Sequence, residues 1–424
     1  MYNPVPVPSR TPVLLTGATV LPIADRAGRP VEALATGDVL LVDGRIAAYG
    51  PVGTLSAPEG TQTIDATGKY VTPGLFEAHG HIGIDEDGVP DAGDDTNESM
   101  TPDGSGLRAL DGINPDDIGF KDALRGGVTA ALIKPGSANP IGGRSAAVKV
   151  WGRIVDEMLI SQDLSVKSAL GENPKRFFGN QGKEPSKRTG VARELRRAFT
   201  AAQDYRAAKE YAEAEGKPFT RDLGKETLVQ VLDGELAWDQ HCHRADDIAT
   251  AIRLSKEFGY RVVTNHATEG HRIADFLAAE GVDCIVGPLM TSRSKVELRN
   301  RTLSTPAALA AAGVRIALTT DHPVIPINFL IHEASLAVKE GLPRDTALQA
   351  LTINPALMFG LEGRLGSLAP DTDADVVVWS GDPLDVLSRV ERVFIDGRQV
   401  YTHNDATGAA DVADPYGPTL VNVP

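Results

Sequence analysis

Two histidines, His79 and His81, stand one residue apart where the apolar run "GLFEAHGHIG" (74–83) gives way to an acidic, glycine-broken loop. The run reads as a strand, and on a strand residues i and i+2 point to the same side, so both imidazoles can aim at one ion. Other short apolar runs end in the same kind of side chain. "LSVKSALGE" ends in Glu172, "AWDQHCH" in His241 and His243, "YRVVTNHAT" near His266, and "VRIALTTDHP" near Asp321 and His322. A lone histidine at a strand end is ordinarily a hydrogen-bonded residue. Most of the chain's 9 histidines gathered at such ends, together with a glutamate and an aspartate, make a set of imidazole and oxygen ligands suited to zinc or a neighbouring first-row metal.

The elements that must position these side chains alternate. Strand-like runs from 74 to 323 are separated by helical stretches such as "DDIATAIRLSKEFG" and "GHRIADFLAAEG", each closed by a glycine past its last turn. Such alternation favours a parallel sheet, and roughly eight units close a (β/α)8 TIM barrel whose catalytic residues sit at the strand C-terminal ends. Seven strands are legible; the eighth is expected within 145–160. Outside this region, 12–73 and the C-terminal stretch share a different vocabulary of short β-runs and Asp-Gly or Gly turns. The two ends are expected to form one small β-sandwich, which divides the chain into 1–73, a metal-binding barrel over 74–363, and 364–424. Residues 186–217, rich in Ala, Arg, Lys and Glu, read as a long exposed inserted helix, a lid, an interface arm or a plain connector. Residues 84–118 read as a long loop of the kind that is often functional. In "KPGSANPIGGRS" (134–145) a glycine-rich turn could offer backbone amides to a substrate carboxylate with Arg144 as ion partner, or could simply be a tight turn.

Bulk properties exclude several classes. With 424 residues, 42% hydrophobic and 23% charged, the chain has the composition of a globular protein. Its formal charge of -15 repels nucleic acid and anionic membranes, so neither is expected as a partner. Two cysteines, Cys242 and Cys284, are too few for a disulfide framework. No apolar run approaches the ~18 residues that a spanning helix requires, and a cytoplasmic location is expected. There is no G-x-S-x-G elbow and no G-x-G-x-x-G, and Cys242 between its two histidines should point to the other face of its strand.

"PGLFEAHGH", "PGSANPIGG", "GENPKR", "HCHRADDI", "NHATEG" and "TTDHP" together resemble the amidohydrolase superfamily, and within it the imidazolonepropionase-like metal-dependent hydrolases. The resemblance spans nearly the whole chain. It implies that His79, His81 and Asp321 hold one divalent metal and His241 and His266 a second, with Glu172 as the bridge; one or two ions per chain, zinc or else manganese or iron, are expected. Many relatives carry a carboxylated lysine as the bridge, and Lys167 is the alternative here. Either His241 or His243 can be the ligand of its strand, the other being left to face substrate with Arg144 and His322. The implied reaction is hydrolysis of a C–N bond other than a peptide bond, in an amide or cyclic amide, by a metal-activated hydroxide with Asp321 as general base. A small-molecule substrate and a homo-oligomer are expected. Deamination of an aminated ring is the alternative, disfavoured because "HCHRADD" offers Asp246 and Asp247 where deaminases of this kind carry glutamate; an inactive scaffolding homologue would lack ligands that are all present.

Overall fold

The computed structural model describes residues 11–89, 91–404 and 409–415. Five strands come first: β1 (Val13–Val20), β2 (Leu34–Val42), β3 (Arg45–Pro51), β4 (Gln62–Asp65) and β5 (Tyr70–Pro73). The central region supplies β6 (Leu75–Gly80), β7 (Val128–Ile133), β8 (Ile141–Arg144), β9 (Ala146–Lys149), β10 (Leu159–Ser161), β11 (Ser165–Ala169), β12 (Ala237–Cys242), β13 (Val262–His266), β14 (Asp283–Val286) and β15 (Ile316–Leu318). The last four are β16 (Val376–Trp379), β17 (Val390–Ile395), β18 (Arg398–Asn404) and β19 (Ala409–Val412).

Strands from the two ends of the chain hydrogen-bond in one nine-stranded sheet, β19-β18-β17-β16-β5-β1-β2-β3 with β4 beside β1. The join is the antiparallel pair β5–β16, in which Val71 faces Val378. Alternating apolar residues on one face, among them Leu15, Val39, Val71, Val376 and Phe394, bury a common core.

The central strands form a TIM-barrel-like α/β arrangement. β6 and β7 are parallel, and β11 to β15 follow one another in parallel register. Between them lie β8 and β9, interrupted only at Ser145: β9 runs antiparallel to β7 and β8 antiparallel to β11. The reason is chain length. Only residues 134–140 connect β7 to β8, far short of the dozen or so a parallel crossover needs, so the chain must turn back on itself. The strand expected within 145–160 therefore starts earlier, at Ile141, and runs the other way. β15 returns to β6 through Thr319 Oγ1, which donates to the His79 carbonyl (2.6 Å), and the His81 N–H, which donates to the His322 carbonyl (2.8 Å).

The inserted helix is real but is not an exposed arm. Arg188–Ala214 buries Val191, Leu195, Phe199 and Ala202, and the Phe199 ring stacks on Tyr260 at 4.7 Å and meets Trp238 edge-on at 4.8 Å. Apart from the buried Glu194 and from Arg188, which reaches Asp247 and Glu297, its Arg and Glu residues lie on the outer face, and they dominate the composition without describing the buried one. Residues 84–118 carry no strand or α-helix among those described. No described helix is long and apolar enough to cross a membrane.

Candidate metal centre

β6, β12 and β13 carry buried histidines at or beside their last residues, and β15 leads through Thr319 and Thr320 into Asp321 at the same end. His79, at the end of β6, is fully buried; its ring lies edge-on to His81 and to His266 of β13, with centroids 5.3 and 4.9 Å apart. His266 in turn lies 4.6 Å from His241 and 4.7 Å from His243, centroid to centroid. The metal-capable atoms fall into two groups, His241, His243 and His266 in one and His79, His266 and Asp321 in the other, each within 4.8 Å. His266 belongs to both. Asp321 Oδ1 is 3.1 Å from His79 Nε2 and 3.4 Å from His81 Nε2.

Hydrogen bonds at the far nitrogens decide which lone pairs are free. His79 Nδ1 meets Asn265 Oδ1 at 2.8 Å, an oxygen that also accepts from Lys134 Nζ at 3.1 Å. Because an ammonium can only donate, that atom of Asn265 is the acceptor, and His79 must donate to it. His81 Nδ1 donates to the Lys134 carbonyl (2.7 Å) and His266 Nδ1 to the Gly287 carbonyl (2.9 Å). His243 Nδ1 is 2.8 Å from Thr268 Oγ1. For His79, His81 and His266 the Nε2 lone pair therefore faces inward, as a metal-ligating imidazole requires. Lys134 pairs with Asp239, which also accepts from Asn265 Nδ2, so the support beneath His79 is itself satisfied.

The charge states fit. Burial first, then neighbouring cations, pulls His79 well below the ordinary histidine value; burial and the neighbouring imidazoles do the same to His241. Burial also pulls His266 down to about 4. These imidazoles stay neutral at pH 7. Burial alone would raise Asp321, but the histidines around it outweigh that and hold its carboxyl well below the usual range. Two electron-pair donors, His79 Nε2 and Asp321 Oδ1, thus face each other at 3.1 Å. Both ring nitrogens of His241 and Nε2 of His243 are buried with no hydrogen-bond partner. Unpaired buried polar atoms are costly, and a divalent cation would take the lone pair of one His241 nitrogen and of His243 Nε2; the donor set fits such an ion. His266 (φ 72°) and Asp321 (φ 54°) hold left-handed backbone conformations, a strain of the sort that concentrates at functional sites.

A solved structure described as an amidohydrolase from Thermotoga maritima MSB8 superposes with a TM-score of 0.86 at 43% sequence identity, covering 92% of this chain and 100% of the other. This chain belongs to the amidohydrolase family. The family model described as "Amidohydrolase family" matches residues 226–401 of it. An amidohydrolase of Hapsidospora irregularis, tasK, is 30% identical over 92% of this chain and 42% of its own length. An imidazolonepropionase of Acidiphilium cryptum is 27% identical over 82% of this chain and 88% of its own. The chain spans about half the length of the first two curated relatives, 42% of one and 54% of the other.

The structure differs from the sequence reading at three residues. Glu172 is not on a strand: it opens the helix Glu172–Asn180, its carboxylate pairs with Arg176 at 2.9 Å, and it joins neither ligand group. Lys167, in β11, lies in its place, fully buried with Nζ 3.5 Å from His79 Nε2 and 3.2 Å from the Pro135 carbonyl. Arg144 faces the outside, where Asp163, Thr227 and Gln230 take its donors; the cleft it lines, of about 850 Å³, contains none of the histidines. His322 accepts the Ile327 N–H at Nδ1 (3.2 Å), and its ring covers Gly119, where an added Cβ would come 2.9 Å from Nε2. It packs the start of a neighbouring helix. Cys242 is buried in the apolar core, its thiol pushed well above the ordinary value by burial. The side chains that strand-end reading passed over are Lys134, Asn265 and Asp239; the lysine closing "ALIK" and the asparagine beside His266 carry the same signal as the histidines.

Proposed function

We propose that this chain is a metal-dependent hydrolase of a carbon–nitrogen bond in a small amide or cyclic amide. The observation that carries this reading is the pair of buried ligand groups joined at His266, in which both ring nitrogens of His241 and Nε2 of His243 have no hydrogen-bond partner. His79, His81 and Asp321 would hold one divalent ion, zinc in the first instance with manganese or iron as alternatives. His241 and His266 would hold a second, with His243 beside them. Lys167, once its amine carries a carboxyl group, would supply the oxygens between them. Burial lowers this amine to about 7, which leaves a large neutral fraction free to take up that group.

A bound divalent ion supplies an ionised water at neutral pH and polarises the carbonyl under attack. Asp321 takes the proton of the attacking water and returns it to the leaving nitrogen. Asn265, held between Lys134 and Asp239, keeps the His79 ring in one tautomer and one orientation. No covalent nucleophile is needed. The deaminase alternative calls for a free acid after β12, but Asp246 is paired with Arg244 (2.8 Å) and Asp247 with Arg188 (3.1 Å). On this reading 74–363 is the catalytic unit and 1–73 with 364–424 the accompanying β-domain.

The test is metal content by mass spectrometry on protein purified without chelator, alongside a hydrolysis screen of N-acyl amino acids, dipeptides and small lactams with zinc or manganese. One to two ions per chain and turnover of at least one amide, lost on chelation, is the expected result. Protein that refuses every divalent ion sinks the reading.

A further inference from the structure

Two loops and the start of a helix that follow the same end of the central strands meet in a short polar chain outside the two ligand groups. Lys295, after β14, donates from Nζ to Asn173 Oδ1 (3.3 Å), and Asn173 Nδ2 donates to Ser137 Oγ (2.7 Å), in the loop after β7. Among the described residues no carboxylate pairs with Lys295. β14 lies between β13, which ends in His266, and β15, which leads into Asp321, so the loop bearing Lys295 leaves the sheet at the end where the ligand groups stand.

We propose that Lys295, Asn173 and Ser137 form an anion subsite that holds the carboxylate of an acidic substrate, an N-acyl amino acid or a peptide C-terminus, beside the metal centre. The inference rests on the hydrolase reading above and deepens it by naming the substrate class. Donor counting supports it. Asn173 uses its oxygen on Lys295 and one N–H on Ser137, so two N–H groups of the ammonium and the Ser137 hydroxyl proton remain to be given to a ligand. A carboxylate accepts several such bonds, and they are the strong, charge-assisted kind. Asp321, Glu297 and Glu172 attract this partly buried ammonium from a distance, but none is in ion-pair contact with it, so a substrate carboxylate would be its close counter-ion.

The subsite is preset. Glu297, two residues from Lys295, accepts the backbone N–H of Glu172 at 2.7 Å and a bond from Arg188 at 2.5 Å. The loop bearing Lys295 is thereby clamped to the helix that bears Asn173, and to the inserted helix. Gly171 keeps room for the clamp: it has φ 88°, and a Cβ there would lie 2.6 Å from Glu297 Oε1.

The experiment compares zinc-loaded wild-type protein with its Lys295→Met, Lys295→Arg and Ser137→Ala variants, measuring binding of a panel of N-acetyl amino acids and the matching N-acetyl amino amides by ligand-observed NMR. Wild type should prefer the acids by about tenfold or more, Lys295→Arg should keep most of that preference, Ser137→Ala should reduce it, and Lys295→Met should bring acids and amides within about twofold. Equal binding of the two panels by wild type, binding of neither, or a preference that survives in Lys295→Met overturns the subsite. Should Lys295→Met not fold, the Ser137→Ala and Lys295→Arg results decide. Zinc content is measured on every sample: intact zinc with no acid preference refutes the subsite alone, whereas failure to take up zinc refutes the hydrolase reading, and the acid-amide comparison can still be read.

Discussion

His79 and Asp321 approach to 3.1 Å across the junction of β6 and β15, and neither has a proton to give the other. His79 spends its N–H on Asn265, and Asp321 is held ionised. A contact of this kind is repulsive until a cation lies between the two atoms, and the predictions below follow from that.

On the proposed mechanism Asp321→Asn removes both a metal ligand and the proton carrier. Turnover should fall by about 10²- to 10⁴-fold, the usual range for a positioned general base. The circular dichroism spectrum should be unchanged. A variant that keeps more than a tenth of wild-type kcat on a substrate found in the screen would remove Asp321 from the mechanism.

Lys167→Met should strip metal from the protein, whereas Glu172→Gln should leave occupancy within error of wild type. Lys167 Nζ lies 3.5 Å from His79 Nε2, while the Glu172 carboxylate is taken by Arg176. Metal analysis of the two variants side by side decides between them, and the opposite pattern would restore Glu172 as the bridge.

Asn265→Leu leaves the ligands intact but removes the acceptor that orders the His79 ring. Loss of such a supporting partner costs roughly 10- to 100-fold in metal affinity or activity. Competition with a chromophoric chelator measures it, and an unchanged affinity would mean that Asn265 has no part in holding the ring.

Metal-free protein should lose stability as the pH falls. His266 titrates at about 4 in the fold against 6.5 for a free histidine, so the unfolded chain takes up a proton below about pH 6.5 that the folded chain refuses until about pH 4. Stability is therefore full above 6.5 and declines through this window; His79 and His241 shift in the same direction. Tm measured in chelator between pH 7.5 and 5 should fall, with a shallower slope in His266→Gln. A flat profile would contradict neutral, buried imidazoles.

Phe199→Ala should destabilise the protein by about 3–5 kcal/mol, the usual cost of deleting a fully buried aromatic ring. The ring has no exposed surface and stacks on Tyr260. Chemical denaturation measures the change, and a loss below about 1 kcal/mol would return the inserted helix to the role of an exposed arm.

Much of this was legible in one dimension, because the information was local. His-x-His on a strand places two imidazoles on one side whatever the rest of the chain does, since the period of a strand is two. The apolar runs and glycine-closed helices announce a strand–helix repeat because burial of each face depends on short-range spacing. The similar vocabulary of the two chain ends anticipates the sheet they share through β5 and β16.

Other features depend on distances that only the folded chain sets. Glu172 and Lys167 are five residues apart in sequence, and Glu172 is the one nearer the expected strand end; the strand stops at Ala169, and Gly171 swings Glu172 away onto a helix. Arg144 sits on a strand that runs backwards because seven connecting residues cannot make a parallel crossover, and that reversal turns it to the outer cleft. The exposed composition of the inserted helix hid its apolar stripe, because composition averages over faces that packing tells apart. The sequence by itself determined which side chains could bind a cation and roughly where along the chain they stand. Tertiary structure alone decided which lone pairs converge, because the tautomer of each imidazole depends on a partner such as Asn265 or Gly287, which belongs to a different strand or loop.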